Sequence, residues 1–419
     1  MKTKLSKTLV ISMLVILGWN NKTNSQSQWT QTTTPPGGSI WAMETIGASL
    51  FAGTVSDGVY FSSDDGTTWV QRNGAFPNMQ IMSMVVNGSD IFVGTDNGHI
   101  YKTSDNGLNW TDVSPSGISP SSNIRLAHNG ITIFAGTAGD GVFASPLSTL
   151  STTSWTSFNT GLTVSSNLLD TVSLKIKGTT IYAGTYAEGV WSSPTNSPNW
   201  SLTSSTMPTS SDYINALDVG GSTIYAGNTS GLPVLYRSIN NGVNWIQSNT
   251  SVFANKPVYV VFNDGNTVFA GTEGQGILVS SDNGITWSSF NQGFQDSSGN
   301  WFCNQINVRS LAFTSTKMFA GTDCGVWKRD IITLGENDFV DKNQFVLYPN
   351  PNNGKFKINY NTTNRTDIEI FNILGEKILT KTNSIQTTNE IDISNVQKGI
   401  YFVKIGDGNS VHTKKIIVR

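Results

Sequence analysis

Cysteine and histidine are almost missing from this chain: its 419 residues include Cys303, Cys324, His99, His128 and His412 and no others of either type. The histidines have no metal-ligand spacing, so they read as surface or structural residues and no metal site is expected. Charge is sparse as well, at 13% of residues with 26 basic against 28 acidic. That leaves no basic patch to hold a phosphate backbone and excludes nucleic acid as an expected partner. No phosphate-binding loop, Cys/His nucleophile pair or calcium loop of the Asp-x-Asp-x-Asp-Gly type occurs, and no cofactor is expected. Past residue 25 no apolar run reaches the length that spans a bilayer as a helix, so the mature chain is expected to have no transmembrane segment.

One apolar run does stand out. Leu9 to Leu17 follows Lys2, Lys4 and Lys7 and precedes a polar stretch in which Thr23 and Ser25 mark cleavage before Gln26. The run is too short to span a bilayer and has the layout of a secretory signal, so residues 1–25 read as a signal peptide rather than an uncleaved anchor. No cysteine follows it to carry a lipid. Export places Cys303 and Cys324 in an oxidising compartment, where two nearby thiols form a bridge more readily than a metal site.

What is plentiful is glycine, and part of it is periodic. The phrase aromatic-Ala-Gly-Thr, or a near copy, begins at Phe51, Phe92, Phe134, Tyr182, Tyr225, Phe269 and Phe319. Its glycines run from Gly53 to Gly321, six intervals over 268 residues, or about 45 per repeat, which is the blade period of a propeller. Each repeat reads as four strands; in the first these are residues 40–46, 49–54, 58–62 and 68–71. The phrase lies on the second strand, where the aromatic and the next residue point to opposite faces and the glycine lets a neighbouring blade approach. The expected fold is therefore all-β, with a seven-bladed β-propeller over residues 26–331. Cys303, before the last blade's innermost strand, and Cys324, after its second strand, fall at the same end of a four-stranded meander, so a disulfide between them is expected.

A sharper motif separates third and fourth strands. It reads Ser62-x-Asp64-x-Gly66-x-Thr68-Trp69, Thr103-x-Asp105-x-Gly107-x-Asn109-Trp110, Ser238-x-Asn240-x-Gly242-x-Asn244-Trp245 and Ser280-x-Asp282-x-Gly284-x-Thr286-Trp287. Hydroxyl and carboxylate can bond the turn's own amides, glycine takes a backbone angle that other residues resist, and the Trp covers the blade contact. These turns resemble the Asp-box, or BNR, repeat of sialidase-like propellers. Blades three and four keep little of it beyond Trp155 and Trp200. The seventh repeat stops at Trp327-Lys328-Arg329-Asp330 without a fourth strand, while an orphan Gln28-Trp29-Thr30-Gln31 opens the mature chain. The N-terminal segment is expected to supply the missing outer strand and close the ring.

A polar linker, 332–344, leads to a second module at 345–419. Alternating apolar residues between Asn/Thr/Gly turns would by themselves give a small β-sandwich. Its landmarks are Tyr348-Pro349-Asn350-Pro351, Gly354, Gly399, Tyr401, Lys414 and Lys415. They resemble the type A sorting domain of the type IX secretion system of Bacteroidetes. The resemblance implies passage through the periplasm, engagement of the type IX machinery, removal of the domain, and release or attachment at the outer-membrane surface.

In a propeller the loops between second and third strands share one face with the loops between blades, and ligands bind there over the central channel. That face is expected to carry Asp57, Asp96, Asp140, Glu188, Glu273 and Asp323. Asp-Gly and Asn-Gly turns account for some of these acids; an acidic rim that attracts cations or bonds sugar hydroxyls is the alternative. Trp41, Phe76, Tyr213, Phe253, Phe294, Trp301 and Phe302 add aromatic rings, with Trp301 and Phe302 in the longest insertion, residues 291–305. Such rings fill a core, anchor a protein partner or stack on sugars.

The sialidase resemblance implies an arginine clamp, yet only Arg125 and Arg309 fall on innermost strands and the triad is incomplete. Endo-xyloglucanase-like hydrolases with Asp-boxes place paired carboxylates between two propellers, and this chain has one; Glu44, Asp170 and Asp212 are the acids that would face a groove. Single Asp-box propellers that assist assembly of photosynthetic complexes are a third likeness. The expectation is a secreted or cell-surface, non-enzymatic binding or scaffold propeller with a glycan or protein ligand, with a polysaccharide hydrolase as the alternative.

Overall fold

The computed structural model describes residues 28–418 apart from 34–37, 75, 78, 121, 163–170, 187, 204–206, 208–212, 221–222, 230–233, 249–250, 264–266, 296–299, 304–305, 315, 331–344, 350–351, 361–365, 373–376, 385–387, 398 and 407–410. The signal peptide, the linker, Asp170, Asp212, Asn350, Pro351 and the side chains of Lys414 and Lys415 lie outside the described residues. The chain divides into two compact units, Met1–Ile332 and Thr333–Arg419.

The first unit is a seven-bladed propeller. Blade 1 is an antiparallel meander of Ile40–Ile46, Ser49–Thr54, Val59–Ser62 and Val70–Gln71, and five more sheets repeat that order. The seventh joins Val308–Phe313, Lys317–Thr322 and Gly325–Asp330 to Thr30–Gln31. Thr30 pairs with Lys328 and Gln31 with Trp327, so the expected closure by the N-terminal strand is present and Gly325–Asp330 is paired on both sides.

Sterics explain the repeated phrase. Its aromatics are all buried, and each glycine abuts the innermost strand of the next blade. A β-carbon on Gly53 would stand 2.6 Å from Cγ2 of Ile81, one on Gly94 2.7 Å from Cγ2 of Ile124, and one on Gly184 2.3 Å from the carbonyl oxygen of Ile214. A β-carbon on Gly321, in the last blade, would meet Ile40 of the first at 2.8 Å, so the same joint runs round the whole ring. The threonine that ends the phrase has its own task. The hydroxyls of Thr54, Thr95, Thr137, Thr185, Thr272 and Thr322 donate to the carbonyls of Gly58, His99, Gly141, Gly189, Gly276 and Gly325 at 2.8–3.0 Å, which ties second strand to third across the loop.

The motif between third and fourth strands folds as a self-bonded turn. The Ser62 hydroxyl donates to Asp64 at 2.8 Å and accepts from Gly66 N–H at 2.8 Å, while the Asp64 carboxylate accepts from Thr68 N–H at 2.8 Å. Thr103, Ser238 and Ser280 make the corresponding bonds in their blades. These bonds favour the ionised form and hold Asp64 and Asp105 at about 2. The motif's tryptophans reach across the seam to the previous blade: the indole N–H groups of Trp110, Trp155 and Trp200 donate to the carbonyls of Arg72, Val113 and Phe158 at 2.6–2.7 Å.

In the second unit a three-stranded sheet of Phe345–Tyr348, Lys355–Tyr360 and Thr388–Asp392 accompanies a four-stranded sheet of Lys377–Ser384, Thr366–Asn372, Gly399–Gly406 and Val411–Val418. Alternate residues, Phe356 and Ile358, Ile368 and Ile370, Tyr401 with Val403 and Ile405, and Ile416 with Val418, form one buried core.

Candidate functional site

The innermost strands border the central channel. In blades 1, 2, 4, 6 and 7 the strand pairing slips at one equivalent place, skipping Trp41, Met82, Val172, Tyr259 and Arg309. A bulge leaves its extra residue unpaired and re-aims the side chain. All five of these residues line a cavity of about 270 Å³ at the channel, together with Arg125 and Asn215 from the remaining blades. Lys175 lines it as well, and among the described residues no Asp or Glu does.

The cations in this cavity are not equivalent. Arg309 lies between two aromatic rings, 4.8 Å from the centre of Trp41 and 4.6 Å from that of Tyr259, and its Nε and Nη2 donate to the two oxygens of Asp323. Burial alone would lower the Arg309 pKa, but the Asp323 carboxylate overrides it and raises it. Burial and a hydrogen bond to Glu273 at 2.8 Å push the Tyr259 hydroxyl up to about 12. Lys175 forms an ion pair of 2.8 Å with Asp218, whose second oxygen accepts from the Asn263 N–H at 2.6 Å. Glu44, from blade 1, feels Lys175 too; burial nevertheless raises its pKa to about 7.

Arg125 differs from both. Its Nε donates to the carbonyl of Val172 at 3.0 Å and its Nη1 to that of Met82 at 2.5 Å. Both carbonyls belong to bulged residues, on the blades to either side. Arg125 thus ties three innermost strands together through backbone groups that the bulges leave without ladder partners. Burial lowers its pKa to about 10, and among the described residues no carboxylate offsets that shift.

The acids expected on this face are largely drawn into local bonds. Asp140 accepts from the N–H and hydroxyl of Ser119 and the hydroxyl of Ser122. Glu273 takes the Tyr259 hydroxyl and lies 3.7 Å from Lys256, and Asp323 takes Arg309 and Asn307. Asp57 and Asp96 sit in tight loops, their N–H groups donating to the Thr54 hydroxyl and the Gln80 carbonyl. Glu188 is half-buried.

Among the aromatics, Phe76, Phe253 and Phe294 are core residues and Tyr213 packs against Tyr186 with ring centres 4.1 Å apart. Trp301 is half-buried against the cluster around Trp327, whereas Phe302 is 63% exposed. A disulfide between Cys303 and Cys324 fastens their segment to the loop that carries Asp323.

Reasoning from sequence missed Lys175, Asn215 and Tyr259 in the channel, and Asp218, the buried partner of Lys175. It also missed a structural asparagine: the side-chain oxygens of Asn73, Asn159 and Asn291 accept from the N–H that opens the third strand, at 2.7–2.8 Å. That residue was visible, since each lies four positions after Trp69, Trp155 or Trp287.

Residues 346–419 match the family model of the secretion system C-terminal sorting domain. The second unit is a type IX sorting domain. It marks the chain for secretion or cell-surface attachment. No Asp-box family model matches the repeats, and no curated protein matches the chain.

Solved structures share the propeller fold. YCF48 bound to D1 peptide has a TM-score of 0.55 at 14% identity, covering 73% of this chain and 96% of that one. YCF48 from Cyanidioschyzon merolae has a TM-score of 0.52 at 16% identity, over 72% and 98%. The GH74 xyloglucanase from Xanthomonas campestris has a TM-score of 0.54 at 14% identity, over 80% of this chain and 59% of that one. At such identities the likeness is one of fold. Among the described residues no helix is long and apolar enough to cross a membrane.

Proposed function

We propose that the propeller is a non-enzymatic binding module that engages a glycan or protein ligand at the channel mouth, and that the signal peptide and the sorting domain deliver it through the periplasm to the outer-membrane surface or the medium. The observation that carries this reading is the makeup of the cavity, with Arg125, Lys175 and Arg309 and, among the described residues, no carboxylate in its lining. A glycoside hydrolase needs two carboxylates flanking the scissile bond. Here Asp323 and Asp218 are each held by a cation, and Glu273 bonds Tyr259. The solved complex of YCF48 with a peptide supports a binding role for a propeller of this fold. The test is a glycan and peptide array run beside a reducing-sugar assay on complex polysaccharides. Binding without sugar release is the expected result. Sugar release that disappears in Glu44→Gln or Glu273→Gln would replace this reading with a hydrolase.

A further inference from the structure

Among the described residues Arg125 is a charge without a counter-charge. A guanidinium has five N–H donors, and the two whose partners are known serve the neutral carbonyls of Met82 and Val172. Among the described residues no carboxylate forms an ion pair with it, whereas the other two cations lining the cavity are matched, Arg309 by Asp323 and Lys175 by Asp218. Arg125 is half-buried at the cavity wall, and a cation drawn partly out of water gains when something of opposite sign meets it. The cavity beside it is open to the mouth ring of Trp41, Asn215 and Tyr259 and is lined further along the same strands by Leu126, Leu174, Leu217 and Val261. At about 270 Å³ it lies just below the usual range for small-molecule pockets, room for one end group rather than a chain.

We infer that the channel mouth is a binding site for a small oxyanion, the carboxylate or sulfate group at the tip of a ligand, held by the remaining N–H donors of Arg125; Asn215 lines the same cavity, with its amide donating to the Thr229 hydroxyl at 3.1 Å. This rests on the binding-module reading and names the chemistry of its ligand. The apolar side chains farther along the strands favour a group that enters tip first, with the rest of the ligand over the mouth. Lys175 adds no uncompensated charge, because Asp218 and Glu44 both act on it.

The test is titration calorimetry on the full chain at fixed ionic strength, with sodium sulfate, sodium acetate, sodium glucuronate and, as a neutral control, glucose. Saturable one-to-one binding of at least one oxyanion and none of glucose is expected. Arg125→Gln should weaken it at least tenfold. Because Arg125 also holds two blades together, Asn215→Asp is the second variant: it sets a negative charge in the cavity and leaves the carbonyl bonds of Arg125 alone, and should weaken binding as much. Galacturonate oligomers that bind more tightly than the free acid would assign the group to a polymer, and equal or weaker binding would assign it to a free acid. No saturable oxyanion binding, equal binding of glucose, or unchanged binding in Asn215→Asp overturns the site. Array binding that persists in Asn215→Asp and in excess sulfate would leave the propeller a binding module and remove the channel as its site.

Discussion

The indole N–H of Trp29 donates to the carbonyl of Phe290 at 2.8 Å. Trp110, Trp155 and Trp200 make the equivalent bond from one blade to the blade before it. Trp29 therefore serves blade 7 as the motif tryptophans serve blades 2 to 4, although it comes from the other end of the propeller. Its ring is also buried and stacked on Phe294, with centres 4.9 Å apart.

Trp29→Ala should thus destabilise the propeller by about 3–5 kcal/mol, as loss of a buried tryptophan does elsewhere. Denaturant unfolding of this variant beside Trp200→Ala is the measurement. A midpoint unchanged in Trp29→Ala alone would show that the seventh blade holds without its joint.

The blade seams yield a graded expectation. A β-carbon at residue 184 would collide with the backbone carbonyl of Ile214, which cannot turn aside, whereas one at residue 53 would meet the side chain of Ile81. Gly184→Ala should cost more than Gly53→Ala, with about 1–3 kcal/mol for the milder of the two. Thermal unfolding of the two variants ranks them, and the reverse order would contradict the packing described.

Glu44 makes stability depend on pH. Its folded pKa of about 7 exceeds the ordinary 4.5, chiefly through burial, so between these values the folded chain holds a proton that the unfolded chain has lost. Stability from this group is therefore full below about pH 4.5 and is lost as pH rises through about 7, by about 3 kcal/mol. Glu44→Gln should flatten that part of the stability curve and be the more stable protein at pH 8. A wild-type curve with no fall across this window, or a variant that keeps it, would place the titration elsewhere.

For export, removal of residues 345–419 should leave the propeller folded and stop its delivery, because the sorting domain matches 346–419 and the two units are separately compact. Cell fractionation with protease shaving measures this. Normal surface display or release of the shortened chain would overturn the assignment of that step.

The ring was legible because its joints use the same residue types each time. The glycines from Gly53 to Gly321 answer one steric demand seven times, and an orphan Trp29 opposite a truncated last repeat revealed the closure. The channel was not legible for the opposite reason. Its mouth is built from equivalent positions filled by Trp41, Met82, Val172, Tyr259 and Arg309, which share no chemistry, so no repeat in the sequence marks them. The grouping of Glu44 with Lys175 and Asp218 joins blades 1, 4 and 5 across the axis, a proximity that only the closed circle creates. Acids such as Asp140 and Asp323 stood out in the sequence, but turn amides and Arg309 claim them first.

The pairing of Thr30 with Lys328 spans 298 residues and sets a timetable. The earliest strand of the propeller has no partner until nearly the whole of that unit has been made, so the circle can lock only late, after a long wait with one edge bare. Six blades are each built from consecutive strands and owe nothing to that late pairing, so what waits for the last stretch of the unit is the seal and not the sheets.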